Sequence, residues 1–222
     1  MLEFELVIAN GTVLSVSEST YPDLFTSLKG GGNNFGIVTN YRLQAHPQGN
    51  VWGGNVAYLR TPSVDKALLQ AVRDFTEYSE DPKAAVIVTA ERANLNLVDS
   101  WILFLFYDGP VVPPGIFDNF TSIGLGPITN TFHQRTYADL MAFSNWVIVP
   151  ASVIDIGTET IPLPSAANSV EVMEGLHNHW RNVTSTVLDV PGVIASIAWQ
   201  VRSSLQEFIS VVTNNTSPSL RA

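Results

Sequence analysis

LFTSLKGGGNNFGIVT, residues 24–39, is the stretch on which the reading of this chain turns. Leu24, Phe25 and Leu28 recur at helical spacing over 22–29; Pro22 suits the first turn, and Ser19 or Thr20 is placed to cap it. Gly30, Gly31 and Gly32 stop that pattern, and Asn33, Asn34, Phe35 and Gly36 follow. Ile37-Val38 then open a strand-like run to Ala45, with Ile37, Thr39, Tyr41 and Leu43 on one face. Four glycines in seven residues cost conformational entropy, so the backbone needs either positive φ or a close approach to something bulky. A run of N–H groups without Cβ atoms also suits a phosphate or a carbonyl. The known glycine fingerprints do not match. A P-loop needs Lys and Ser/Thr after its last glycine, where Ile37-Val38 stand. A dinucleotide fingerprint from Gly30 needs glycine at Phe35, and it runs strand–glycine–helix, the reverse of this order. The residues alone leave two readings open: a plain helix-to-strand turn and a ligand-cradling loop.

Working outward, VIANGTVLSVSES (7–19), PDLFTSLKGGGNNFGIVTNYRL (22–43) and AHPQGNVWGG (45–54) together resemble the flavin-binding domain of the vanillyl-alcohol oxidase superfamily. The resemblance is strongest to the fungal and plant berberine bridge enzyme-like oxidases. It implies an α+β chain. Residues 1–48 would be the C-terminal part of a bicyclic, PCMH-type FAD-binding domain. Residues 49–222 would be an incomplete substrate domain, an antiparallel sheet flanked by helices that roofs the flavin. It implies FAD as cofactor. Gly36, Ile37 and Val38 would supply backbone contacts to its adenosine and diphosphate side, and Gly31, Gly32 and Asn33 would shape the approach. The implied chemistry is hydride transfer from a small-molecule C–H or alcohol to flavin N5, with reoxidation by O2. The family's histidine-bearing attachment segment and its cysteine are absent, and its catalytic base and closing Tyr-x-Asn-type segment have no counterpart here. The expectation is therefore an internal fragment or truncated product that binds FAD weakly, with no catalytic residue assigned. The alternatives are a non-redox remnant, a binding or scaffold protein, or a cyclase using the roof cavity.

Composition narrows the partners. A hydrophobic share of 45% against 14% charged residues reads as globular, and 222 residues support one or two cores. The net charge of −9 argues against nucleic acid and anionic membrane surfaces. The longest apolar run, Trp101 to Tyr107, is far short of a membrane span. Without cysteine there are no disulfides, thiolate metal sites or cysteinyl cofactor links. Sequons at Asn10, Asn119, Asn182, Asn214 and Asn215 read as a glycoprotein pattern. The family resemblance implies the secretory pathway, although MLEFELV has neither the basic region nor the apolar stretch of a signal peptide.

Taken in order, Met1 to Ser17 reads as a hairpin with a type I′ turn at Asn10-Gly11. Phe4, Leu6, Ile8 and part of the first helix are expected to leave an apolar patch that drives self-association. His46-Pro47 ends the first region. Strands follow at 51–59, 84–90 and 98–107, the last central in its sheet, with an amphipathic helix at 63–78. Short helical pieces at 116–123 and 136–143, a long helix at 165–189 and a last strand at 192–201 complete an α+β pattern. His177 and His179 at i, i+2 face different sides of a helix and make a poor metal pair; they read as solvated or core-edge. His46 and His133 read as surface residues, Glu171 and Glu174 as a solvated face, and Tyr107 as packing. Gln200, after Trp199 on the edge that the resemblance turns toward the substrate, is the candidate substrate-contacting amide. No metal site is expected.

Overall fold

A computed structural model describes residues 1–93, 97–144, 152–202 and 208–218. The chain divides into two compact units, Met1–Gln48 and Gly49–Ala222. The first holds β1 (Glu3–Val7), β2 (Val13–Ser17), α1 (Pro22–Leu28) and β3 (Ile37–Arg42), with the antiparallel order β2-β1-β3. Phe4, Leu6, Val16 and Phe25 form its core, and Leu14, Leu24, Leu28 and Val38 pack around them. The expected exposure of Phe4 and Leu6 is corrected: they are 3% and 0% exposed, because α1 covers them from within the same unit. The most exposed apolar side chains of this unit include Val13, Ile37, Tyr41 and Leu43.

Three local expectations also change. Gly11 has φ +83° and its N–H donates to Ile8 O at 2.9 Å, while the Ile8 N–H donates to Thr12 O at 3.0 Å. Asn10 is not in the left-handed region, so the hairpin closes by a type I turn with a glycine bulge, not a type I′ turn. Neither Ser19 nor Thr20 caps α1; Tyr21 takes that position with φ 60° and no side-chain cap bond. In β3, Leu6 pairs Val38 and Glu5 pairs Asn40, leaving Thr39 as an extra residue. This bulge breaks the alternation expected for Ile37, Thr39, Tyr41 and Leu43. Tyr41 is swung to the side of Phe4, with ring centroids 5.8 Å apart, and the Thr39 hydroxyl donates to Glu5 Oε1 at 2.6 Å.

The second unit holds β4 (Val51–Leu59), α2 (Pro62–Tyr78), β5 (Ala84–Ala93), β6 (Val98–Tyr107), α3 (Asp118–Thr121), β7 (Thr129–Asn130) and β8 (His133–Arg135). It continues with α4 (Tyr137–Ser144), β9 (Ser152–Pro162), α5 (Ser169–Thr184), β10 (Ile194–Arg202) and β11 (Phe208–Pro218). The antiparallel sheet runs β7-β4-β6-β5-β10-β11-β9, with β8 also on β4, so β6 is interior as its apolar run requires. Strands β9 and β11 extend the sheet beyond the expected last strand, His133 lies in β8 and not in a loop, and the long helix ends at Thr184.

Strand alternation puts Val56, Tyr58, Val86, Val88, Trp101, Leu103, Ile197 and Trp199 on one face. That face buries Leu68, Leu69, Val72 and Phe75 of α2 and Met173 and Trp180 of α5. Thr61 caps α2 through Val64 N–H at 3.2 Å, and Pro62 occupies its first turn, where a missing N–H costs nothing. Beneath the helices, Asp65 accepts from Trp101 Nε1 at 2.8 Å and from Arg60 Nε at 2.7 Å. His177 is 1% exposed and stacks on Trp101, 5.0 Å between centroids at 19°. Thus His177 is a core residue, not a core-edge one, while His179 stays exposed. Neither ring nitrogen of His177 has a hydrogen-bond partner among the described residues, although Nε2 lies 3.9 Å from Asp65 Oδ2.

Burial holds the His177 pKa down at about 4 against the ordinary 6.5; the Asp65 charge opposes this and those of Arg181 and Arg60 add to it. The unfolded chain therefore takes up this proton first as pH falls. The contribution to stability is full above about pH 6.5 and is lost as pH falls toward 4, by at most about 3 kcal/mol. In urea unfolding, the parent is expected to lose more stability between about pH 7.5 and pH 5 than His177→Leu, which keeps apolar volume and removes the titration. Equal losses in the two proteins would place the proton elsewhere.

Candidate functional site

The six glycine-loop residues singled out from the sequence all lie in the first unit, from the loop after α1 into the first two residues of β3. The structure gives them unequal tasks. Gly31 N–H donates to Ser27 O at 2.8 Å, folding the chain back onto the last turn of α1. A Cβ on Gly31 would sit 2.5 Å from that carbonyl oxygen and from the Phe35 ring. Asn34 Nδ2 closes the turn on Gly31 O at 2.7 Å. Gly36 has φ +147° and lies against β1, where a Cβ would run into the Val7 carbonyl. Val38 is half-buried against the small core. Gly32, at φ +61°, has open space where its Cβ would be. Asn33 is exposed, and Ile37 is 71% exposed.

Gly31, Gly36 and Val38 therefore serve the fold, while Gly32, Asn33 and Ile37 form an exposed, uncharged rim. Lys29, just before the loop, places its Nζ 4.0 Å from the Phe25 ring centroid. A rim of exposed backbone with no Cβ at Gly32 fits close approach by a flat dinucleotide. The loop residues Gly31, Gly32, Asn33, Gly36, Ile37 and Val38 offer no ionisable side chain for covalent attachment or acid–base work.

In the second unit, the sheet face opposite α2 and α5 is the other candidate. The strand register aligns Gln200, Ile87, Phe104 and Asn55 in one row across β10, β5, β6 and β4. The next row is Ala198, Thr89, Ile102 and Ala57, and the one after is Ser196, Glu91, Ser100 and Leu59. Helix α4 covers one end. A Cβ on Gly53 would strike the Leu140 side chain, so glycine there lets α4 sit close to β4. Tyr137 meets Phe106 edge to face at 6.3 Å and 79°. Between helix and sheet lies a cavity of about 380 Å³ whose lining includes Asn55, Ile87, Phe104, Phe106, Tyr137 and Met141 and no charged residue. Gln200 is exposed on this face.

Glu91, which the sequence reading passed over, is half-buried on the same face, and burial pushes its carboxyl pKa up. It is four residues along β5 from Ile87, hence about 13 Å from the cavity row. The signal that could have found it is a carboxylate in the outward phase of an otherwise apolar strand. Tyr107 is buried, and its hydroxyl donates to Asp81 Oδ2 at 3.0 Å, a packing role. His46 and His133 are exposed, as read from the sequence. Among the described residues no cluster of His, Asp and Glu could hold a metal ion, and no helix is long and apolar enough to cross a membrane.

No protein-family model matches the chain. It is 37% identical over 201 residues to an uncharacterized FAD-linked oxidoreductase of Arthroderma benhamiae, covering 90% of this chain and 39% of the relative. The FAD-dependent monooxygenase drtC of Aspergillus calidoustus is 34% identical over 153 residues, 66% of this chain and 28% of the relative. The chain thus spans well under half the length of these curated relatives. Among solved structures, 6-hydroxy-D-nicotine oxidase of Arthrobacter nicotinovorans superposes with a TM-score of 0.70 at 16% identity, covering 97% of this chain and 48% of the other. The carbohydrate oxidase of Microdochium nivale gives 0.62 at 14% identity, with 99% and 50% covered. These structural likenesses show the α+β fold expected from the sequence. The fungal sequence relatives make the chain similar, over part of their length, to FAD-linked oxidoreductases and FAD-dependent monooxygenases.

Proposed function

We propose that the protein works as part of an FAD-dependent oxidoreductase of the oxidase type, acting on a small molecule. The observation that carries this reading is the 37% identity to an FAD-linked oxidoreductase across 90% of the chain. In it, residues 1–48 are the later part of the FAD-binding domain and residues 49–222 belong to the substrate domain. The chemistry that bound FAD would supply is acceptance of a hydride at N5 and return of the electrons to O2. Gly36, Ile37 and Val38 offer backbone to the adenosine and diphosphate side, and Gly31, Gly32 and Asn33 set the approach. The open sheet face takes the substrate, with Gln200 as a polar contact. Passage through the secretory pathway is part of the proposal, with glycans on the exposed Asn10 and Asn119. Asn182 suits this less, because the hydroxyl of its sequon partner Thr184 is buried and donates to Trp180 O at 2.9 Å.

A second reading, a non-redox binding protein, draws on a specific observation. Gly31 and Gly36 are accounted for by contacts inside their own unit and need no ligand to explain them.

An FAD titration of the purified chain separates the two. The chain matches only 39% of its relative's length, so only a share of the cofactor's contacts is expected here. The expected outcome is weak, saturable quenching of flavin fluorescence, with no flavin absorption band left after desalting. Ile37→Glu adds a negative charge at an exposed position beside the diphosphate contacts and is expected to weaken binding about tenfold, with no change in melting temperature. Absence of any saturable response would favour the non-redox reading. A flavin band that survives desalting would show tighter holding than these contacts predict.

A further inference from the structure

We propose that the flank of α5, with the shelf of sheet beside it, is a docking groove for a basic amphipathic helix of a partner protein. The groove lies on the helix side of the second unit, apart from the open sheet face. Helix α5 packs on β10, and the sheet continues past β10 through β11 to β9. Two further strands at about 4.8 Å spacing make a shelf about 10 Å wide, the diameter of one more helix. Residues 153–160 of β9 are all exposed, so the outer strand of that shelf is left open. Ile161, Leu163, Val172 and Leu176 border a groove of about 910 Å³ between the end of β9 and α5. Val172, Leu176 and Val183 recur at i, i+4 and i+11 and are 42%, 37% and 55% exposed, with His179 on the same stripe. The buried face of α5 carries Met173, His177, Trp180 and Thr184, so this stripe is a second one on its flank. It runs about 16 Å, or three helical turns. Gly175 borders the same groove and has open space where its Cβ would be. Glycine weakens a helix interior, and here it lets a partner backbone come close.

The rim is acidic. Side chains alternate along β9, so Ile161 fixes the face: Asp155 and Glu159 stand on its side of the strand. Glu171 borders the groove from α5. Among the described residues no Lys or Arg borders the groove or stands on that face of β9. An apolar stripe between acidic rims is complementary to a helix with one apolar face and Lys or Arg along its flanks. The same charges repel an anionic bilayer and a second copy of this chain, whose net charge is −9.

The test uses the full chain without flavin and a fluorescein-labelled helical peptide of about five turns, with Leu on one face and Lys on the others. A second peptide carries Glu in place of each Lys. Binding is read by fluorescence anisotropy. The expected result is saturable binding of the Lys peptide that weakens several-fold from low to physiological salt, and binding of the Glu peptide at least about tenfold weaker. Leu176→Ser is expected to weaken binding of the Lys peptide at least about fivefold. Gly175→Gln fills the close approach and is expected to weaken it similarly, while the melting temperature holds or rises because Gln is the better helix former. Glu159→Gln is expected to weaken binding and to flatten its salt dependence. Val111→Ser, exposed in the loop after β6 and outside the groove, is the control expected to leave binding unchanged. If Leu176→Ser fails to fold, Gly175→Gln still decides. No saturable binding of the Lys peptide would overturn the proposal. So would binding that ignores both α5 variants, or equal binding of the Glu peptide. A dimer in sedimentation that Leu176→Ser dissolves would overturn it by giving the stripe to a second copy. Capture of the chain by phosphatidylcholine vesicles that the same variant abolishes would overturn it by giving the stripe to a membrane.

Discussion

Asp65 is the polar anchor of the larger unit. It sits in the first turn of α2, where the helix dipole favours a negative charge, and is only 5% exposed. The Trp101 indole from β6 and the Arg60 guanidinium, just after β4, both donate to it. A buried carboxylate with donors on two sides fixes helix against sheet, because losing the Arg60 guanidinium leaves an uncompensated charge at a cost of about 3–5 kcal/mol. His177 of α5 stacks on the same indole, so the second helix is referenced to the same point. Arg181 forks onto Asp99 at 2.9 and 2.7 Å and ties the C-terminal part of α5 to β6. With α2 and α5 committed to one face, strand alternation leaves the opposite face for other uses. That is where the uncharged cavity, Gln200 and Glu91 are found.

The glycine loop shows a motif serving two masters. Gly31 and Gly36 are set by steric approach within the small unit, one against the Ser27 carbonyl and one against Val7. Gly32 has no such internal reason beyond its left-handed φ. A fingerprint that looks dedicated to a ligand can thus be partly a packing device. Gly32, Asn33 and Ile37 stay exposed, and the fold-facing share falls on Gly31, Gly36 and Val38.

The strands β4 and β6 and the helix α2 were legible because each carries its own periodicity and sits between Gly or Pro breaks. Strand β9 was not: Val153, Ile154 and Ile156 are all exposed, so no one-sided apolar pattern marks it. The Thr39 bulge was equally hidden, because a register shift exists only relative to a partner strand. Asn10-Gly11 read as a type I′ turn, and the backbone instead closes by a type I turn with a glycine bulge, a difference that only φ at Asn10 decides. Of the site, the glycine positions were legible and the cavity was not, since its lining comes from β4, β5, β6 and α4, which are remote in sequence.

By itself the sequence determined the likeness to FAD-linked oxidoreductases, the α+β class, most elements and the glycine loop, because these are written in local patterns and in a long contiguous motif. Tertiary structure alone decided that His177 is a neutral core residue and that Glu91 is a half-buried carboxylate on the cavity's face. It also decided that Phe4 and Leu6 are covered by α1 and that the cavity is apolar. Burial, desolvation and cavity chemistry are properties of what surrounds a residue. They arise only when segments distant in the chain are brought against one another.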